Sequence, residues 1–281
     1  MATNADKNPS VAADYESAAP ANVGVAIPND GFPAHADDIC ICAVKVLTGY
    51  YDALEQAQDS EEVRVQMAKF CKQMGFDNFS YALTLEVPSL KPQRYFINGY
   101  PQQWFDRYLA RNYFAVDPLV KHAQQSTLPA AWGARTFHDT ATAEFWEEAW
   151  GAGLKAGLSF IVRERSGTIG IFSLARDSAL DQDSHELAAL IGRGQMFANL
   201  VHHASCRLEV PKLLPQATTV LTARERECLK WSADGKTAWE LGRILGISAR
   251  TAVFHLNNAM QKLEATNKTQ AIVRAVALQL I

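Results

Sequence analysis

Tyr100, Trp104 and Tyr108 recur every four residues, a spacing that sets three aromatic side chains on one face of a helix. Two end in a hydroxyl and the third in an indole N–H, so the face offers hydrogen-bond donors from an apolar surface. Asp117 follows in the apolar run YFAVDPLV. A carboxylate buried there needs donors or a cation, because an unpaired buried charge is costly. It also precedes Pro118, where an aspartate caps a helix, and the two roles are compatible. Trp132 in LPAAW and Ser173 in GIFSLA add a second indole and a hydroxyl. One acceptor and several donors on greasy walls suit the capture of a small molecule with a polar head and an apolar body. The spacing alone fits an ordinary aromatic core equally well.

A second set of chemically useful side chains lies in the last sixty residues. Thr222 and Glu225 have capping-box spacing, Gly235 ends the helix they open, and Gly246-Ile247 makes a tight turn before Ser248 caps a helix over about 249–263. On that helix Ala252, Leu256, Ala259, Met260 and Leu263 form a docking stripe. The opposite face presents Arg250, Val253, Phe254, Asn257, Asn258, Gln261 and Lys262, with Thr251 at its start. Amides and a guanidinium suit base edges and phosphates, and exposed apolar groups suit thymine methyls. Helix, short glycine turn, helix is the geometry of a helix-turn-helix; a generic helical bundle is the plainer alternative.

Charge supports the first of these. The chain has a net charge of −3, yet residues 218–281 carry 9 Lys+Arg against 5 Asp+Glu, whereas residues 1–217 carry 18 against 25. Positive charge is thus concentrated where phosphate would be met. Enzyme signatures are missing from the sequence: no H-E-x-x-H, no G-x-S-x-G and no phosphate-cradling glycine loop. A phosphorylated receiver domain needs a phosphoacceptor aspartate closing a third strand. Asp37-Asp38 precede the apolar run, and no later strand ends in a suitable aspartate. Five cysteines (Cys40, Cys42, Cys71, Cys206, Cys228) form no C-x-x-C pair. They read as free thiols in a reducing cytoplasm, with a zinc site or a redox switch as the alternative. No apolar run is long enough for a membrane span, and no signal-peptide pattern opens the chain, so a cytoplasmic protein without membrane attachment is expected.

These groups must be positioned by two domains, as 281 residues allow. Residues 1–36 read as a flexible extension, 37–207 as a ligand-binding domain, 208–217 (LEVPKLLPQA) as a linker, and 218–281 as a four-helix DNA-binding module. Within 37–207, helices are expected over 37–57, 60–74, 101–111, 118–125, 142–155 and 184–206. Strands are expected over 79–87 and 94–98 and in a hairpin about Ser166-Gly167. The fold class is α/β: an N-terminal α-β-α sandwich followed by an all-α helix-turn-helix domain.

LTARERECLKW, GKTAWELGRILGIS, TAVFHLNNAMQKL and the closing A-x-A-L-x-L-I resemble the LuxR-type helix-turn-helix. NGYPQQW, YFAVDPLV, LPAAW, AGLKAGLSF and GTIGIFSLA resemble, in order, the autoinducer-binding domain of the same quorum-sensing regulators. The resemblance implies an N-acyl-L-homoserine lactone as ligand and no cofactor or metal. Trp104 would donate to the lactone carbonyl, Asp117 accept the amide N–H, Tyr100 and Ser173 donate to the amide carbonyl, and Trp132 pack on the lactone ring. Tyr108, Phe105, Val120 and Leu83 would line the acyl channel. In the DNA module it implies base contacts from Val253 and Asn257 and phosphate contacts from Lys236, Thr237, Arg250 and Lys262. Thr251, Phe254 and Asn258 are further candidates. It also implies a homodimer on inverted-repeat promoter DNA that controls transcription, with activation through RNA polymerase the commoner outcome in the family and repression the other. A family member that answers a non-lactone signal, or none, is the alternative.

Overall fold

The computed structural model describes residues 49–88, 90–133, 140–164, 167–180 and 185–281. The expected extension 1–36, the first part of the helix expected over 37–57, and Cys40 and Cys42 lie outside them. Strands β1 (Asn78–Leu85), β2 (Gln93–Gly99), β3 (Ala130–Trp132), β4 (Ala156–Arg163) and β5 (Thr168–Arg176) form one antiparallel sheet in the order β2-β1-β5-β4-β3. Helices α1 (Tyr50–Gln56), α2 (Ser60–Gln73) and α6 (His185–Leu213) cover one face, α6 against β4 and β5. On the other side lie α3 (Gln102–Ala110), α4 (Pro118–Gln125) and α5 (Thr140–Gly151).

Strand periodicity divides the side chains between two faces. Register aligns Tyr81 with Phe172 and Phe172 with Phe160. All three point towards α2 and α6, where Phe70 and Phe197 stack with ring centroids 3.9 Å apart. One residue along, Ser80, Ser173 and Ser159 align across β1, β5 and β4 on the opposite face. The back of the sheet therefore carries a dense aromatic core, and the front carries a row of hydroxyls among apolar walls.

The expected elements are present with shifted ends, and β3 is an addition. Helix α5 stops at Gly151 rather than near residue 155, and Gly153 takes a left-handed φ of 83° in the turn that follows. The larger difference is α6, which continues past Cys206 to Leu213 and carries Pro211 inside it. The prolines of LEVPKLLPQA pointed to an irregular linker from residue 208. An interior proline typically costs about 3 kcal/mol. Leu208, Val210, Leu213 and Leu214 pack against the core behind the sheet, and their burial offsets that cost. Pro215–Thr218 then form a single 3-10 turn.

Four helices end the chain: α7 (Ala223–Ala233), α8 (Ala238–Leu245), α9 (Ala249–Lys262) and α10 (Lys268–Ala277). Thr222 with Glu225, and Thr237 with Glu240, form complete capping boxes. Ser248 caps α9, and Gly246 makes the preceding turn at φ 66°. Leu229, Leu241, Ala252, Leu256, Ala259 and Leu263 pack between the helices. Glu225 is buried, with its carboxylate 2.8 Å from Lys262 Nζ. Burial alone would raise its pKa, but the Lys262 ammonium and the Thr222 donors outweigh burial and hold it below the usual range. Leu278, just beyond α10, packs against both this core and the core behind the sheet, and the Gln216 amide donates to Glu264 at 2.5 Å. No described helix is long and apolar enough to cross a membrane.

Phe172 is fully buried between Phe70, Phe160 and Phe197. Phe172→Ala is expected to destabilise the sheet domain by about 3–5 kcal/mol, read as a lowered urea midpoint in circular dichroism.

Candidate functional site

The front of the sheet borders a cavity with about 730 Å³ of empty space, part of it open to solvent. Its floor is the sheet, with Ser80, Ala82, Ile171 and Ser173, and its walls come from α3, α4, α5 and the segments that join them. The lining draws on two clusters. Trp104, Trp132 and Phe145 belong to an aromatic one that includes Tyr113, with Tyr100 packed against it. Phe114, Val120 and Ile171 belong to a second that includes Ile161 and Ile169, with Phe96 packed against it. Tyr108 touches both.

Helix α3 places its aromatic face as the four-residue spacing requires, and Tyr100, Trp104, Phe105 and Tyr108 all line the cavity. Trp104 is buried and lies nearly parallel to Tyr113, with centroids 5.8 Å apart. Among the described residues no protein acceptor meets its indole N–H. Asp117 lines the same cavity at 8% exposure. Its Oδ1 accepts the Leu119 backbone N–H at 2.8 Å, capping α4, and its Oδ2 accepts the Tyr108 hydroxyl at 2.9 Å. The capping and cavity-facing roles therefore coexist. Tyr108 was expected only to line an acyl channel; its hydroxyl instead holds the carboxylate.

Burial raises the Asp117 pKa, and the Leu119 N–H and Tyr108 hydroxyl only partly oppose the rise. Between the ordinary aspartate pKa and this raised one, the folded protein holds more protons than the unfolded chain. Stability therefore falls as pH rises through that window, and at neutral pH the ionised carboxylate counts against the fold. The phenols of Tyr100 and Tyr108 are both pushed up by burial, with the Asp117 charge adding to the effect. Each stays a neutral donor.

Trp132 arrives on β3 opposite Gly157. A Cβ at Gly157 would lie 2.2 Å from the indole, so the ring can cross the strand only over glycine. The Trp132 Nε1–H donates to Ser159 Oγ at 3.0 Å, and Ser159 Oγ lies 2.8 Å from Ser173 Oγ. Ser173 is thus inside a hydroxyl relay as well as on the cavity floor. Val120 lines the cavity as expected. Leu83 does not: it is fully buried in the core behind the sheet, and its neighbour Ala82 lines the cavity. The error is one of strand parity, since adjacent residues face opposite sides. Ser80, Phe114, Leu119, Phe145, Ser159 and Ile171 escaped the sequence reading; a serine alternating with apolar residues, as in FSYAL and GLSF, was the available signal.

On α9, Arg250, Val253, Phe254 and Asn257 are exposed on one face, with Phe254 at 59%, and Asn258 is half-buried. Thr237 is the N-cap of α8, with its hydroxyl on Glu240, and Lys236 precedes it half-buried. Thr251 lies beside the α9 cap, its hydroxyl 2.8 Å from Ser248 Oγ. Lys262 departs from expectation. Its ammonium donates to Glu225 and to the Val220 carbonyl at 3.2 Å, so it neutralises a buried charge within the module instead of extending towards phosphate. Trp239, unremarked in the sequence, is 64% exposed with the Arg243 guanidinium over its ring.

The family model described as autoinducer binding domain matches residues 59–205, and that described as bacterial regulatory proteins, luxR family, matches residues 219–275. The chain is 38% identical over 231 residues to the transcriptional activator protein SolR of Ralstonia nicotianae, covering 82% of this chain and 97% of that one. Among solved structures, Escherichia coli SdiA is 27% identical and aligns with a TM-score of 0.73 over 86% of this chain and 99% of its own. SdiA in complex with octanoyl-rac-glycerol aligns at 0.70, also with 27% identity, over 85% and 95%. A mixed α/β domain with a lined cavity, followed by a helix-turn-helix with a polar exposed face, and matched in both halves and in that order, places this chain in the LuxR family of quorum-sensing transcriptional regulators, which are not enzymes.

Proposed function

We propose that the chain binds an N-acyl-L-homoserine lactone in the cavity and, as a homodimer, binds an inverted repeat in promoter DNA to activate transcription through RNA polymerase. The observation that carries this reading is that the buried Asp117 carboxylate and the Trp104 indole line one cavity together with Val120 and Ile171 of an apolar cluster. A carboxylate has about four acceptor sites. Leu119 and Tyr108 use two, leaving capacity for an amide N–H. Trp104 then donates to the lactone carbonyl, Tyr100 and Ser173 serve the amide carbonyl, and Trp132 covers the lactone ring. Phe105, Val120, Phe114 and Ile171 take the acyl chain, each buried methylene adding about 0.8 kcal/mol while space lasts.

Binding and folding are linked through the carboxylate. An N–H delivered to ionised Asp117 supplies the donor that burial withholds, so ligand stabilises the folded chain by mass action. The DNA half follows from α9: Val253 and Asn257 read base edges, Phe254 and Asn258 flank them, and Arg250, Lys236, Thr237 and Thr251 hold phosphates. A ligand-binding part that runs to the end of α6 at Leu213, and a DNA-binding part over 218–281, fit this division of labour, and the protein works in the cytoplasm.

A second reading draws on SdiA, whose structure holds octanoyl-rac-glycerol. An acylglycerol has no amide N–H, but a glycerol hydroxyl could donate to Asp117. Purified protein titrated with lactones and acylglycerols of matched chain length separates the two readings; indifference to every lactone would refute the first.

Asp117→Asn keeps a competent N-cap. It is expected to weaken lactone binding by roughly 10–100-fold, the worth of about 1.5–3 kcal/mol for a hydrogen bond to a charged acceptor. Wild-type affinity should fall as pH drops through the raised Asp117 pKa, because protonation removes the acceptor charge, whereas the asparagine variant should show a flat profile by calorimetry. On DNA, Arg250→Ala should weaken all sequences alike and flatten the salt dependence by about one counterion, while Asn257→Ala should relax selectivity at one base pair by about 1–3 kcal/mol in competition binding.

A further inference from the structure

Behind the sheet, remote from the cavity, three side chains of metal-binding type converge. His202 and Cys206 lie one turn apart on α6, and Glu164 follows the end of β4. His202 Nε2 is 3.5 Å from Cys206 Sγ and 3.5 Å from Glu164 Oε1, and all three ligand atoms lie within 4.8 Å of one another. We propose that Glu164, His202 and Cys206 form a zinc site that fastens the C-terminal half of α6 to the β4–β5 hairpin.

The two 3.5 Å separations from His202 Nε2 suit the ion. Zinc bonds of about 2.0–2.3 Å at tetrahedral angles place ligand atoms roughly 3.3–3.7 Å apart. The surrounding groups suit it too. Tyr81 Oη lies 2.8 Å from His202 Nδ1, so in the Nδ1–H tautomer that ligation through Nε2 requires, the ring donates to the tyrosine and the Nε2 lone pair faces the cluster, with Thr168 Oγ1 also 3.5 Å from it. The imidazole reaches this position only because residue 170 is glycine: a Cβ there would lie 2.3 Å from Nδ1. Thr168 Oγ1 donates to Glu164 Oε2 at 3.2 Å, the kind of outer hydrogen bond that orients a ligating carboxylate. Glu164 is 43% exposed, so water can reach the fourth position.

Charge and softness select the metal. A thiolate and a carboxylate together neutralise a divalent ion, and thiolate with imidazole favours zinc over magnesium or calcium. A cysteine binds zinc as the thiolate and a histidine as the neutral imidazole. Binding therefore exchanges the thiol proton for the zinc–sulfur bond and releases one proton to solvent. The lactone cavity shares none of these residues.

The test uses the full-length protein, stripped with a chelator and titrated with cobalt(II) and then zinc. One equivalent should bind, with a near-ultraviolet thiolate-to-cobalt absorption that zinc displaces. Cys206→Ser should abolish that absorption, whereas Cys228→Ser and the double variant Cys40→Ser/Cys42→Ser should retain it. Tyr81→Phe, isosteric and buried, should retain the site but weaken zinc binding about 10–100-fold. No stoichiometric uptake, or an absorption that survives Cys206→Ser, overturns the proposal.

Discussion

A carboxylate placed where water is scarce constrains the whole ligand-binding domain. Asp117 is tied to the fold by one backbone donor and one phenol, yet burial still holds its pKa above the ordinary value. Burial disfavours the ionised form, and in the proposed function a ligand N–H supplies the further donor that the carboxylate lacks. Trp104 on α3, with Ser80 and Ser173 on the sheet, lines the same enclosed space.

The sheet allows this strain by keeping it on one face. Alternation sends Tyr81, Phe160 and Phe172 to the back, where stacked rings fill the space without help from any ligand. It sends Ser80, Ser159 and Ser173 to the front. A single strand thus serves a self-sufficient core and an incomplete one, and the first supplies the rigidity on which the second depends. The helical module solves its own problem differently. Two capping boxes and the Glu225–Lys262 pair fix its helices, freeing one face of α9 from structural duty.

Much of this was legible in the residues. Four-residue spacing of aromatics, an aspartate ahead of proline and the Thr222–Glu225 capping box are local signals, and each formed where its spacing placed it, whereas the second box, Thr237 with Glu240, emerged only in the structure. What escaped depends on tertiary partners. Leu83 and Ala82 are adjacent in an apolar strand, and only the register shows which one faces the cavity. Tyr108 carries a hydroxyl whose partner lies nine residues away on another helix. Lys262 looks like any exposed lysine until Glu225 is found buried beneath it. Pro211 reads as a helix breaker, and only the leucines packed on either side of it explain why α6 continues.

Leu278 touches the interior of both domains, and Ile281, three residues further on, still packs into the helical core. The segment 278–281 is therefore a keystone between the two halves. A charged side chain set at Leu278 would be felt in both packed interiors at once.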